Sequence, residues 1–120
     1  QLGNLEHLTI PEGVEVYEIN GPYFFGAGNK FEEIMGALGH GRPKVRIIRM
    51  RKVPFVDSTG IHNLTNLCLM SQKEGIQVVL SGVNEQVQAV LHKAKFDELV
   101  GAENICSHIN IALDRARQIL

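Results

Sequence analysis

The chain has 120 residues, which suits one domain built around a single core. Hydrophobic residues make up 44% and charged residues 21%, as in an ordinary soluble globular chain, which argues against disorder. The 12 Lys and Arg are balanced by 13 Asp and Glu, tryptophan is absent and aromatic residues amount to 6%. We therefore predict no nucleic-acid partner, because neither a positive field nor stacking surfaces are available.

The N-terminal third is predicted to contain a linker, a strand and a helix. Residues 1–13 form the linker, with a short strand near residues 7–10, and the domain spans residues 14–120. Alternation over residues 14–19 predicts a strand, which Gly21 and Pro22 end. The helix that follows has Asn29 and Glu32 in a capping arrangement. Its apolar face, at helical spacing, consists of Phe31, Ile34, Met35 and Leu38.

In the middle of the chain, two strands flank a longer helix. Residues 45–50 are rich in Val and Ile and predict an interior strand, whose pairing Pro54 limits. A helix is predicted over about residues 59–73, and Gly75 stops it. Residues 76–80 form a short apolar strand typical of a covered sheet. The inward positions of the helix are Ile61, Leu64, Leu67 and Cys68.

The C-terminal part is predicted to hold two helices around a short strand within residues 101–106. Asn84 caps the first of these helices and Ser107 caps the last one. Their predicted inner faces are Val87, Val90, Leu91 and Ala94 in the first and Ile109, Ala112, Leu113 and Ala116 in the last. Because strands and helices alternate, the sequence predicts an α/β fold with a partly parallel sheet and right-handed crossovers.

Features of the whole chain indicate a cytosolic piece of a longer polypeptide. The first residue is Gln1 rather than Met, no apolar run approaches the roughly 20 residues that span a bilayer, and the N-terminus is too polar for a secretory signal. Cys68 and Cys106 lie in apolar contexts, which predicts buried, reduced thiols, with a disulfide as the alternative.

One motif carries chemistry: Asp57, Ser58, Thr59 and Gly60 follow an apolar strand and open an amphipathic helix. Asp57 or Ser58 can accept a bond from the unpaired amides of the first turn, and Gly60 allows close approach of another backbone. The motif is either a good helix cap and nothing more, or a phosphorylation switch for docking. A phosphate on the Thr59 hydroxyl would meet free amides and a favourable dipole, and would add about −1.5 to −2 charges to a nearly neutral surface.

The string from Val53 to Ile61, VPFVDSTGI, resembles the signature loop and helix start of STAS domains, which anti-sigma-factor antagonists and SulP anion transporters share. In antagonists the hydroxyl residue before the glycine is phosphorylated, a position that Thr59 occupies here, and Asp57 matches the acidic position of the family. A second segment, beginning GPYFF at Gly21, is similar to a stretch after the first strand of transporter STAS domains. Small residues stand at Ala27 and Gly28, where many of those transporters carry Asn.

The resemblance implies a STAS-like single domain with a mixed, mostly parallel sheet of four to five strands and about four to five helices. It also implies a non-enzymatic regulatory and interaction domain at the cytoplasmic face of the inner (plasma) membrane. The parent would be a SulP-type transporter of sulfate, bicarbonate or a dicarboxylate. Its membrane part is the expected partner, with a soluble protein and a homodimer formed through the parent as further candidates.

The predicted docking or anion-binding surface lies around this loop, with Thr59 and Ser58 as phosphorylation candidates. Its members are Val53, Pro54, Phe55, Asp57, Ser58, Thr59, Gly60, His62 and Asn63. The alternatives are a stand-alone anti-sigma-factor antagonist and a nucleotide-binding or hydrolytic domain. No cofactor is expected otherwise.

Other groups of residues also have two readings. A basic run near the loop could either pair with the acidic residues or meet an anion; it consists of Arg42, Lys44, Arg46, Arg49, Arg51 and Lys52. Ser58, His62 and Asp57 crowd into one helical turn, which cannot easily supply the geometry of a hydrolytic triad. Gly26 to Gly28 lacks the rest of a phosphate-binding fingerprint, and the five histidines show no metal-ligand spacing.

Overall fold

The computed structural model describes residues 9–19 and 43–120. Within them, three strands form a parallel sheet in the order β1 (Val14–Glu18), β2 (Val45–Arg49) and β3 (Gln77–Ser81). The register places Val45 beside Val14 on one side and beside Gln77 on the other. Every residue of β2 is buried, because this strand is central and helices cover the sheet.

The helices lie on both faces of the sheet. They are α1 (Ser58–Lys73), α2 (Glu85–Lys93), α3 (Phe96–Val100) and α4 (Ile109–Ile119), with a 3₁₀ turn at Ala102–Asn104. Since side chains alternate along a strand, Ile48 packs with α1, α2 and α3, whereas Val45 and Ile47 pack with α4. The result is one layer of helix on each side of a central sheet.

The predicted α/β fold is confirmed, and so are most of the element positions that fall on described residues. The long helix and the strand after it begin and end within one or two residues of the prediction. Asn84 caps α2 as expected, its Oδ1 accepting from the Val87 amide at 2.7 Å. The inner faces of α1 and α4 are those predicted, apart from Ile61, which is half-buried.

Four details of the C-terminal part differ from the prediction, and one of them is α3 (Phe96–Val100), a helix that the sequence did not predict. Residues 101–106 form the 3₁₀ turn and a single parallel bridge between Ile105 and Leu80 instead of a strand, since Gly101 has φ +96° and turns the chain. The cap of α4 is His108 rather than Ser107. Ala94 ends α2 and is exposed, because the helix stops there and Phe96 enters the core instead.

Some expectations fall outside the described residues. These are the helix through Phe31, its capping pair and most of the strand near residues 7–10, of which only Thr9 and Ile10 are described, outside any strand. Among the described helices, none combines the length and apolar character needed to cross a membrane.

Candidate functional site

The loop between β2 and α1 is anchored to the core by two buried residues and exposes two others to solvent. Val53 and Val56 are 1% and 6% exposed and belong to the core, while Pro54 is exposed and Phe55 is 51% exposed. The Val53 amide donates to the Met50 carbonyl at 3.0 Å, which turns the chain out of the strand. The loop is therefore a rigid base that presents an aromatic ring to solvent.

A second element fixes the loop from the side. The Nδ2 of Asn84, the cap of α2, lies 3.4 Å from the carbonyl oxygens of both Val53 and Pro54. Asn84 thus serves two purposes, because its oxygen caps one helix while its nitrogen reaches the loop before another. The sequence revealed only the first of these.

Asp57 is the N-cap of α1. Its backbone is extended, with φ −95° and ψ −175°, and its Oδ1 accepts from the Gly60 amide at 2.8 Å. Ser58 and Thr59, the first two helical residues, are exposed, and the described hydrogen bonds leave their amides unused. A negative group added to Thr59 would meet these amides and the positive end of a 16-residue helix.

The predicted site divides into buried and accessible members. Val53, Gly60 and Asn63 are buried, Asn63 being 9% exposed, so they support the site from beneath and offer no contact surface. The accessible members are Pro54, Phe55, Asp57, Ser58, Thr59 and His62.

The outer face of α1 continues this accessible surface beyond the predicted residues. Leu69 and Met70 are each 48% exposed, and Asn66 lies between them and His62 on the helix. Thr59, His62, Asn66 and Leu69 follow spacings of three, four and three, which places them along one side. That spacing was visible in the sequence, but Leu69 and Met70 were assigned neither to the predicted inward face of the helix nor to the predicted site.

Hydrolytic chemistry finds no support in the geometry of this turn. The His62 Nε2 is 3.2 Å from the Asn66 Nδ2, and the Asp57 carboxylate is engaged by the Gly60 amide. In the described part of the chain, no hydrogen bond joins Ser58, His62 and Asp57 to one another.

The basic run serves mainly to pair with acidic residues. Arg46 is 2% exposed; its Nε is 2.7 Å from the Glu15 carboxylate and its Nη1 donates to the Ser71 hydroxyl. Glu18 accepts from Arg51 at 3.0 and 3.3 Å. Lys44 is exposed before β2, and Arg42 is not among the described residues. Arg46 and Arg51 are therefore each paired with a carboxylate in the structure.

Both cysteines are free and buried. Burial raises the pKa of the Cys68 thiol to about 12. Burial also raises the pKa of Cys106, an effect that the nearby Arg115 charge partly offsets. Since the thiolate is the reactive form, neither residue is suited to nucleophilic chemistry at neutral pH. The segment from Gly21 to Phe31, with its aromatic residues, lies outside the described chain.

Comparison with known proteins identifies one family. The STAS domain family matches residues 7–112. Sulfate transporter 1.2 of Arabidopsis thaliana is 35% identical over 108 residues, a region that covers 81% of this chain and 16% of the transporter. The chain thus spans less than a fifth of the length of the curated relatives it matches.

Solved structures agree in fold. A sulfate transporter family protein from Wolinella succinogenes superposes with a TM-score of 0.84 at 38% identity, over 95% of this chain and 93% of the other. The STAS domain of a SulP transporter from Vibrio cholerae gives 0.78 at 37% identity, over 98% and 91%. A Thermotoga maritima protein described as an anti-sigma factor antagonist gives 0.69 at 17% identity, over 91% and 92%, and shares the fold alone.

Proposed function

Since this chain belongs to the STAS domain family, we propose that it is the regulatory and interaction domain of a SulP-type anion transporter, docking through the loop before α1 and the outer face of that helix. In this proposal residues 14–120 form the domain and residues 1–13 a linker. The domain sits at the cytoplasmic face of the inner membrane, and the membrane part of its own parent protein is the partner. Sulfate, bicarbonate or a dicarboxylate is the transported anion.

The observation that carries the proposal is the exposure of Phe55 beside a helix start. An aromatic ring half open to solvent costs free energy unless a partner covers it, and aromatic residues are common anchors of interfaces. Leu69 and Met70 are two further exposed apolar residues on the outer face of α1. Val53, Val56 and the Asn84 contacts keep the loop in place, so little conformational entropy is lost on docking.

We further propose that phosphorylation of Thr59 switches this docking without changing the fold, with Ser58 as the second candidate. A phosphate at Thr59 gains from the unused amides of the first turn and from the helix dipole, but it also approaches the Asp57 carboxylate. These two effects oppose each other, so the stability of the domain changes little. The added charge falls beside Phe55, where an apolar partner would have to desolvate it.

The test measures binding of the 120-residue chain to the purified membrane part of its parent. Phe55→Ser and Thr59→Glu should each weaken binding at least about tenfold, which corresponds to the loss of one good interface contact, while shifting the Tm by no more than about 2 °C. Gln86→Glu, an exposed position in α2, adds the same charge elsewhere and is the control.

Two results would reject the proposal. Wild-type binding by both Phe55→Ser and Thr59→Glu would show that docking does not use this surface. Unfolding of Thr59→Glu would show that Thr59 is a structural position and that no switch operates there.

Two alternatives remain distinguishable from the transporter domain. A stand-alone antagonist of an anti-sigma factor would function without any membrane-spanning chain, and its support is likeness of fold at 17% identity. The relatives at 35% to 38% identity are transporters and favour the first proposal. A nucleotide-binding domain would raise its Tm by several degrees with ATP or GTP and lose this response in Asp57→Ala.

A further inference from the structure

A cavity of about 180 Å³ lies apart from the docking surface, where the carboxyl ends of β2 and β3 meet the start of α4. In α/β proteins with parallel sheets, ligands bind at this edge, because loops and helix starts converge there. The residues that line the cavity are Arg49, Arg51, Gly82, Ser107, His108 and Ile109.

Arg49 has an unsatisfied donor at this cavity. Its side chain is 6% exposed, and in the described chain its buried Nη1 makes no hydrogen bond. The nearest acidic atom, the Glu18 Oε1, lies 3.8 Å away, too far for a hydrogen bond. Because a buried donor without an acceptor is costly, most such groups in proteins have a partner in protein, water or ligand. An arginine with an unpaired donor therefore lies in the wall of the cavity.

The charge around the cavity is unbalanced in favour of an anion. Arg49, Arg51 and Lys52 all approach Glu18, at 3.8, 3.0 and 3.4 Å. Among residues 9–19 and 43–120, one carboxylate therefore faces three cations, and Glu18 itself does not line the cavity. Two of the three cations, Arg49 and Arg51, do line it.

The start of α4 adds neutral donors on the opposite side. His108 caps the helix through its Nδ1, which accepts from the Asn110 amide at 3.2 Å. Ile109 also lines the cavity, and its amide makes none of the hydrogen bonds found among the described residues. Ser107 contributes an exposed hydroxyl.

Gly82 allows the end of β3 to lie against the backbone of Arg51. It has φ +70°, and a Cβ built there would lie 2.6 Å from the Arg51 amide nitrogen. Only glycine brings the end of β3 this close to the Arg51 backbone without a clash.

From these observations we propose that the cavity binds a small inorganic oxyanion of the sulfate or phosphate class, held by Arg49 and Arg51 on one side and by the first turn of α4 on the other. Its volume suits such an ion and is smaller than the roughly 300 Å³ at which pockets for organic ligands begin. The proposal does not depend on the docking function, since none of the accessible docking residues lines the cavity.

In the test, the isotope-labelled chain is titrated with sodium sulfate at constant ionic strength, and binding is measured by NMR from the amide chemical shifts. Sodium chloride is the reference salt. Saturable shifts are expected at Gly82, Ser107 and Ile109. Arg51→Gln should weaken sulfate binding about tenfold, as loss of one charged hydrogen bond predicts. Lys44→Gln removes a positive charge at the opposite end of β2 and should leave the affinity unchanged.

Arg49→Met should abolish the saturable shifts with sulfate if this variant folds. If it does not fold, the sulfate titrations of Ser107→Ala and Arg51→Gln decide whether the cavity binds the ion. Equal shifts with chloride and sulfate, or equal effects of Arg51→Gln and Lys44→Gln, would overturn the proposal. Separate titrations with inorganic phosphate, ATP and phosphatidylglycerol vesicles identify the source of the anion. Binding to ATP or vesicles without a response to either free ion would also refute it.

Discussion

Replacing Asp57 with Ala tests the most informative hydrogen bond of the site. The substitution removes the 2.8 Å bond to the Gly60 amide and a negative charge at the positive end of α1. Loss of an N-cap costs about 1 kcal/mol, and loss of the dipole interaction at an exposed position costs about 0.5 kcal/mol. We therefore expect the free energy of unfolding to fall by about 1 to 2 kcal/mol.

The same loss of free energy corresponds to a fall in the melting temperature. With an unfolding entropy of about 2.1 cal/mol/K per residue, a chain of this length should lose about 4 to 8 °C in Tm. Urea denaturation followed by circular dichroism measures the free energy directly, and the slope against denaturant should not change, because α1 remains part of the folded state.

Asp57→Asn is the matched variant, because its amide oxygen can still accept from Gly60 while the charge is gone. It should lose no more than about 0.5 kcal/mol. If Asn proves as harmful as Ala, the charge rather than the cap stabilises the turn. If Ala proves harmless, the cap is not formed in solution and the rigid loop on which the docking proposal rests is wrong.

Two further predictions concern the core. In urea denaturation, Gly82→Ala should lower the free energy of unfolding by at least about 2 kcal/mol more than Gly75→Ala. Both residues have positive φ, but only a Cβ at position 82 meets backbone atoms, those of Arg51. Equal losses in the two variants would show that this close approach does not exist. At pH 8, Cys68 of the native chain should react with iodoacetamide about a thousandfold more slowly than Cys68 of the urea-unfolded chain. The reason is that a pKa raised from 9.0 to about 12 lowers the thiolate fraction by that factor. If mass spectrometry detects modification at the unfolded rate, the thiol lies at the surface.

Local signals in the sequence sufficed for most helix boundaries. Asp57 and Asn84 are capping residues that accept bonds from amides three residues ahead, so their role depends on neighbours in the chain. Gly75 has φ +80° and ends the turn after α1, as a glycine after a helix predicts. The cap of α4 was misassigned because Ser107 and His108 are both able to accept such a bond, and only the backbone geometry selects one of them.

The accessible part of the site was only partly predictable. Exposure of Thr59 and His62 and burial of Val53 and Asn63 depend on which side of the loop and of α1 the sheet covers. Leu69 and Met70 were not included in the predicted site, because hydropathy does not distinguish an apolar residue that packs in the core from one that is exposed at the surface.

What the sequence by itself determined is the position of most of the described elements, their α/β order and the resemblance to STAS domains, because hydrophobic spacing, caps and motif residues act over a few neighbouring positions. Tertiary structure alone decided that Arg49 and Arg51 lie across a cavity from Ser107 and His108, more than 50 residues along the chain. Parallel pairing of β2 with β3 and packing of α4 beneath them bring these groups together. Such long-range convergence leaves no local pattern, because it arises only when the crossovers close.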